Sequence, residues 1–227
     1  NSSAMFPLGT DQLGRCVLSR LMYAGKTSLL TVFAIVIVSA LIGSFIGIVS
    51  AMSGGIVDSI IMRFLDMLMA FPGMVLIIAL VAVFGVGVFN IFIALIVTSW
   101  VSYARFTRSV SMSIIGSDFI HEARLGGANN FKIMYAYILP NILPQMLVLM
   151  TQDLGDKLLT LASLSLLGLG AQPPQPEWGF MLSEGKPFMQ TCYWLLIYPG
   201  LIILINVVIF NLLGDSLRDI LDPKYEN

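Results

Sequence analysis

Residues 118–141 read DFIHEARLGGANNFKIMYAYILPN, a charged segment with two adjacent glycines set between long runs of Leu, Ile, Val and Phe. What the segment is depends on the solvent of its flanks. The chain is 57% hydrophobic and 11% charged over 227 residues, with a mean hydropathy of +0.90. That is too little polar surface to cover a water-soluble domain of this length, so the flanks read as membrane spans and the chain as an all-α polytopic membrane protein. A net charge of -1 gives no basic footprint for nucleic acid. Cys16 and Cys192 are too few and too far apart for a disulfide framework or a zinc site.

Roughly 20 apolar residues cross about 30 Å of hydrocarbon as helix. Stretches 28–50, 60–84, 89–103, 142–169 and 193–213 qualify, the third only if it continues through ARFTRSV. Within the second, Phe71-Pro72-Gly73 predicts a kink, because proline lacks the N–H donor and clashes with the preceding turn. Arg63, Arg105, Arg108, Arg124, Lys132, Arg218 and Lys224 fall on one side of this arrangement, and Arg15, Arg20, Lys26 and Lys186 on the other. The bias places segment 118–141 and the C-terminus in the cytoplasm and the N-terminus outside. An outside start reading NSSAMFPLGTD, without an initiator Met, predicts a preceding transmembrane helix, with a cleaved signal peptide as the alternative. Residues 1–27 then form an external loop and amphipathic helix. Residues 28–227 form the transmembrane domain, with a cytoplasmic loop at about 117–132 and an external loop at about 170–191.

Within the cytoplasmic loop, Ser117 or Asp118 can cap a short helix that Gly126-Gly127 ends. Phe119, Ile120, Ala123 and Leu125 give it an apolar side, while His121, Glu122 and Arg124 are polar. Such a helix either lies solvated on the membrane or serves as a docking knob for a cytoplasmic partner. The external GLGAQPPQPEWGFML (168–182) is likewise either a rigid loop anchored by Trp178 or a docking surface.

In the fourth span, Gln145, Gln152, Asp153, Asp156, Lys157, Thr160 and Ser163 fall within an arc of roughly 140° at 100° per residue. Charges in a bilayer face a bundle interior or a watery path. The stripe therefore lines a path, or an Asp153–Lys157 pair at i,i+4 stitches the helix to a neighbour. The single histidine, His121, is remote from the stripe, and the methionines around Met62, Met67, Met69 and Met74 read as packing, so no metal site emerges. GKTS (25–28) imitates a phosphate-binding loop, but Arg20 stands where its first glycine belongs. Ser163 and Ser165 lie in a span with no histidine in any span, which disfavours an intramembrane serine protease. A channel or scaffold stays compatible with the spans alone.

Four motifs carry a resemblance. They are PLGTDQLGRCVLSRL (7–21), the segment above with Gly127 thirteen residues before the proline of LPN, LSLLGLGAQPPQPEWG (164–179) and FNLLGDSLRDILDP (210–223). In this order they resemble the second permease subunit of dipeptide, oligopeptide and nickel ABC importers. The resemblance implies a type I ABC importer permease fold in the bacterial or archaeal inner membrane, with five spans in this chain. It implies partnership with a homologous permease, two cytoplasmic ATPases and an extracytoplasmic binding protein. No catalytic site, cofactor or metal is implied in this chain, ATP and Mg belonging to the ATPases. His121, Glu122, Ala123, Arg124, Gly126 and Gly127 would contact an ATPase, and Gln175, Glu177 and Trp178 the binding protein. Independently of the resemblance, GDSLRDILDP (214–223) reads as a cytoplasmic tail helix with Arg218 and Asp222 at i,i+4 spacing. Departures are Cys16 for the aspartate of a GRD triplet, Leu161 for a glutamate, and His121-Glu122-Ala123 for Glu-Ala-Ala. RFLDMLMAFPG, SWVSYARFTRSV and QDLGDKLLTLASLSLLGLG look closer to the nickel or metal-chelate branch. Nickel or metal-chelate import is the expectation, with dipeptide or oligopeptide import as the alternative.

Overall fold

The computed structural model describes residues 6–221. They form helices α1 (Val17–Ser53), α2 (Gly55–Met69), α3 (Gly73–Phe84), α4 (Val88–Ile115), α5 (Asp118–Leu125), α6 (Asn130–Leu166), α7 (Trp178–Gly185) and α8 (Trp194–Leu221). α1, α4, α6 and α8 are each long and apolar enough to cross a bilayer, and α2 with α3 makes a bent pair that passes the same test together. The expected kink is a full break: the two helices meet at 85°, with Pro72 preceding α3. The third span does continue through Ile115. The separate external helix expected before residue 28 is instead the first turns of α1, which runs unbroken from Val17, because 17–27 carries no glycine pair or proline to stop it.

α1 packs most extensively on α4, and α6 on α8. The first pair runs parallel and is built on GSFIG (43–47). A Cβ on Gly43 would sit 2.5 Å from the Trp100 carbonyl oxygen, and one on Gly47 would collide with the Ala104 carbonyl. In lipid, where apolar burial gives no net drive between helices, such close backbone approach supplies the dispersion that holds them. α6 and α8 run antiparallel, with Gly155 against Val207 and Asn211, and Gly214 against Gln152.

α6 is not α-helical throughout. Ile133–Ile138 forms a π segment, and both of its end residues are fully buried. They are five positions apart, which on an α-helix would point them about 140° away from each other. The wider π turn brings both to the core, and Pro140, without an N–H to donate, helps fix where the α pattern gives way.

At the end of the bundle near α5, Arg108 of α4 donates from Nε and Nη2 to Asp58 of α2, and the Ser50 hydroxyl of α1 donates to the same carboxylate at 2.6 Å. Three helices are pinned at one carboxylate.

Candidate functional site

Three features align from one end of the bundle to the other: the α5 segment, the polar face of α6 and the loop before α7. α5 projects from the bundle by one anchor, Ile120, its only buried residue. His121, Glu122, Arg124, Gly126 and Gly127 are exposed and Ala123 is half-buried. The apolar side expected for this helix does not form one covered face, since Leu125 is 90% exposed while Phe119 leans on Tyr137. Ser117 occupies the N-cap position, but its hydroxyl donates back to the Ile114 carbonyl rather than accepting from the helix. The C-terminus is a Schellman turn. The Ala128 N–H donates to the Ala123 carbonyl and that of Gly127 to Arg124, both at 3.0 Å. Only one of the two glycines is demanded by geometry: Gly127 has φ +85°, whereas Gly126 lies at -75° with room for a Cβ.

The α6 stripe divides. Lys157 Nζ donates to Asp153 Oδ1 at 2.8 Å, and the Tyr103 hydroxyl of α4 donates to Asp153 Oδ2 at 2.7 Å. These charges stitch α6 to α4. Asp156 and Ser163 are exposed, and the hydroxyls of Thr160 and Ser163 donate back to carbonyls one turn earlier at 2.8 and 2.7 Å. Gln145 and Gln152 line a groove of about 390 Å³ between α4, α6 and α8, together with Phe106, Val148, Leu149, Arg218 and Leu221. The i,i+4 partner expected for Arg218, Asp222, lies outside the described residues.

At the opposite end, Gln175 is exposed, but Glu177 and Trp178 are not available to a partner. Glu177 is 0% exposed. Its carboxylate caps α7, accepting from Gly179 N at 2.9 Å and Phe180 N at 2.8 Å, and it also accepts from Ser28 Oγ at 3.1 Å. The Trp178 indole lies over Gly25 and donates to the Leu21 carbonyl at 3.0 Å. The expected docking pair is thus a clamp between α7 and α1, since a carboxylate with three donors and a buried indole cannot also face water.

Beside this clamp is a ring that no local pattern announced. Asp11 accepts from Arg15 at 2.6 Å and from Arg20 at 2.7 Å, and Glu184 of α7 accepts from both arginines, at 3.0 Å from Arg15. The ring ties the N-terminal segment to α7. Burial works against the charge on Asp11, but hydrogen bonds from the Arg15 backbone and guanidinium, Leu13 N–H and Arg20 outweigh it and hold the carboxyl below its ordinary value. A depressed folded pKa means stabilisation that is present above about pH 4 and lost as pH falls through the folded value. Hydrogen exchange across 9–20 is expected to stay slow from pH 7 to 5 and to accelerate beyond its intrinsic pH dependence below about pH 4. Glu184→Gln should reproduce part of that loosening at neutral pH.

Residues 43–227 match the family model described as the binding-protein-dependent transport system inner membrane component. The chain belongs to this family. It is a multi-pass inner-membrane permease component of a bacterial ABC importer. Similar relatives include a dipeptide transport system permease protein of Haemophilus influenzae, 42% identical over 96% of this chain and 74% of its own length. A di/tripeptide transport system permease protein of Pseudomonas aeruginosa is 39% identical over 99% of this chain and 74% of its own. A nickel transport system permease protein of Escherichia coli is 40% identical over 95% and 78%. The fold is that of type I ABC importer permeases. A chain of the inward-facing MetNI methionine ABC transporter superposes with a TM-score of 0.71 at 16% identity, covering 90% of this chain and 97% of that one. The preference for the nickel branch does not carry over, because the peptide permeases match as well as the nickel one does.

Proposed function

We propose that this permease forms one half of the path of an ATP-driven importer of short peptides. A homologous permease supplies the other half. Two cytoplasmic ATPases, holding ATP and Mg, engage the α5 segment, and an extracytoplasmic binding protein delivers cargo at the opposite end. On this reading α5 and the C-terminus are cytoplasmic. The observation that carries it is the α6 face, where Gln145 and Gln152 stay open to the groove while Asp153 and Lys157 satisfy each other. Side-chain amides both donate and accept, which suits a peptide backbone. A bare nickel ion favours imidazole or thiolate instead, and the single histidine sits on α5. The names of the peptide-permease relatives point the same way.

Uptake by the full complex with its binding protein in vesicles tests the cargo. Labelled dialanine is expected to accumulate with ATP and to be unaffected by nickel or a nickel–histidine chelate. Accumulation of labelled chelate that excess dialanine does not reduce would reverse the assignment.

Coupling through α5 is tested at its C-cap. Gly127→Val forces a β-branched residue to φ +85° and displaces the exposed Leu125 knob. Transport per ATP hydrolysed is expected to fall roughly 5–30-fold, the effect of 1–2 kcal/mol, with hydrolysis itself retained. Gly126→Ala should give the smaller loss, since its backbone is one that alanine adopts. Equal losses from both variants would mean that the turn geometry is not what couples.

A further inference from the structure

The groove between α4, α6 and α8 has an unusual combination of surfaces. Its floor is apolar, with Phe106 and Leu149, and its α6 wall carries the amides of Gln145 and Gln152. On its α8 wall stands Arg218, one helical turn after Asp215, whose carboxylate accepts from Gln152 Nε2 at a loose 3.4 Å. Residues three apart on a helix share a face, so Asp215, which is not itself on the groove's lining, stands beside Arg218 on the side of α8 that meets Gln152. No ion pair joins Asp215 to Arg218 among the described residues. The volume, about 390 Å³, lies at the lower end of small-molecule sites.

We infer that this groove is a cargo subsite that recognises the charged termini of a short zwitterionic peptide. Arg218 takes the carboxylate, Asp215 the ammonium, and Gln145 and Gln152 the intervening amide. The 3.4 Å Gln152–Asp215 contact is long enough to be exchanged for a ligand ammonium at little loss. The apolar floor accepts side chains of differing shape, so recognition depends on the termini and tolerates sequence. The groove lies toward the α5 end of the bundle, at the middle of α6, the carboxyl-terminal half of α4 and the carboxyl-terminal turns of α8. It is therefore the last subsite on the import route and is reachable from the cytoplasmic side. This rests on the peptide-importer reading above and adds where and by which groups the peptide is held.

The test uses the assembled transporter in nanodiscs, with Cys16 and Cys192 replaced by serine and a reporter thiol introduced by Val148→Cys in the groove wall. Dialanine is expected to slow modification of the reporter by a water-soluble thiol reagent. N-acetyl-alanyl-alanine amide, which has the same backbone without terminal charges, should not. Arg218→Gln should weaken dialanine protection about tenfold, the loss of one charge-assisted hydrogen bond, and Arg218→Lys should restore part of it. Equal protection by the capped peptide, no protection by dialanine, or protection indifferent to Arg218→Gln would each overturn the subsite. Vesicle uptake of labelled dialanine by the same complex separates the two claims. Uptake without protection removes the subsite alone, whereas absence of both removes the peptide reading with it.

Discussion

A Lys157→Met permease is expected to lose about 3–5 kcal/mol of stability, because the substitution leaves the Asp153 carboxylate inside the bundle without its cation. The geometry is specific to that partner: Lys157 and Asp153 are 18% and 16% exposed as side chains and meet at 2.8 Å. Tyr103 donates to the same carboxylate, but a single interhelical hydrogen bond in a membrane is worth on average about 0.6 kcal/mol. It cannot replace the missing charge. Tyr103→Phe should therefore be mild where Lys157→Met is severe. The double variant Asp153→Asn with Lys157→Met should recover most of the loss, since removing both charges also removes their desolvation cost. Unfolding of the purified permease in mixed micelles measures all three. A double variant as unstable as the single one would show that the pair is not the source of the penalty.

Gly47→Leu is the second large effect, of a different kind. The Ala104 carbonyl and the Arg108 amide of α4 stand where its side chain would begin, and Thr107 closes the space beside them. Backbone cannot rotate away as a side chain can, so α1 and α4 must separate along their most extensive contact. Separation also pulls the Ser50 hydroxyl of α1 away from Asp58, the carboxylate that Arg108 of α4 holds. A cost on the order of 4–5 kcal/mol or more is expected, enough to leave little folded permease in the membrane by protease protection. Gly73→Ala is the control. It sits in a helix with nothing near its Cβ, and should be neutral or stabilising by up to about 1 kcal/mol. Wild-type levels of folded Gly47→Leu would refute the close-packed account of this helix pair.

The spans, the break at Pro72 and the glycine that ends α5 were legible because each depends on residues adjacent in sequence, read through the length of the bilayer or the backbone rules of proline and glycine. The pairing of α1 with α4 was not. Inside a run such as ALIGSFIGIV, glycine looks like any small apolar filler, and only the neighbouring helix reveals that Gly43 and Gly47 are contact surface. The i,i+4 spacing of Asp153 and Lys157 was visible, but which of path or stitching it served depended on Tyr103, fifty positions earlier. Glu177 and Trp178 misled for a related reason. A glutamate and a tryptophan in a proline-rich loop resemble surface, whereas the first is the cap of α7 and the second a wedge against α1. The ring from Asp11 to Glu184 joins residues at opposite ends of the chain, and no local pattern encodes it.

The π turn at Ile133–Ile138 sets a phase. A π segment carries one residue more than the α-helix would need over the same rise, so everything before it is indexed one position out of step with everything after. The knob on α5 and the amide face of α6 are thus held at a fixed azimuth to each other by an insertion of one residue. Were the segment to relax to α-helix with all its residues kept, the two faces would swing apart by about 100°, whereas deleting an exposed residue within it, such as Ala136, would restore α-helix and leave them in register. On the proposed coupling through α5, it is the one extra residue of the π turn, and no side-chain contact, that sets which face of α6 a push at α5 presents.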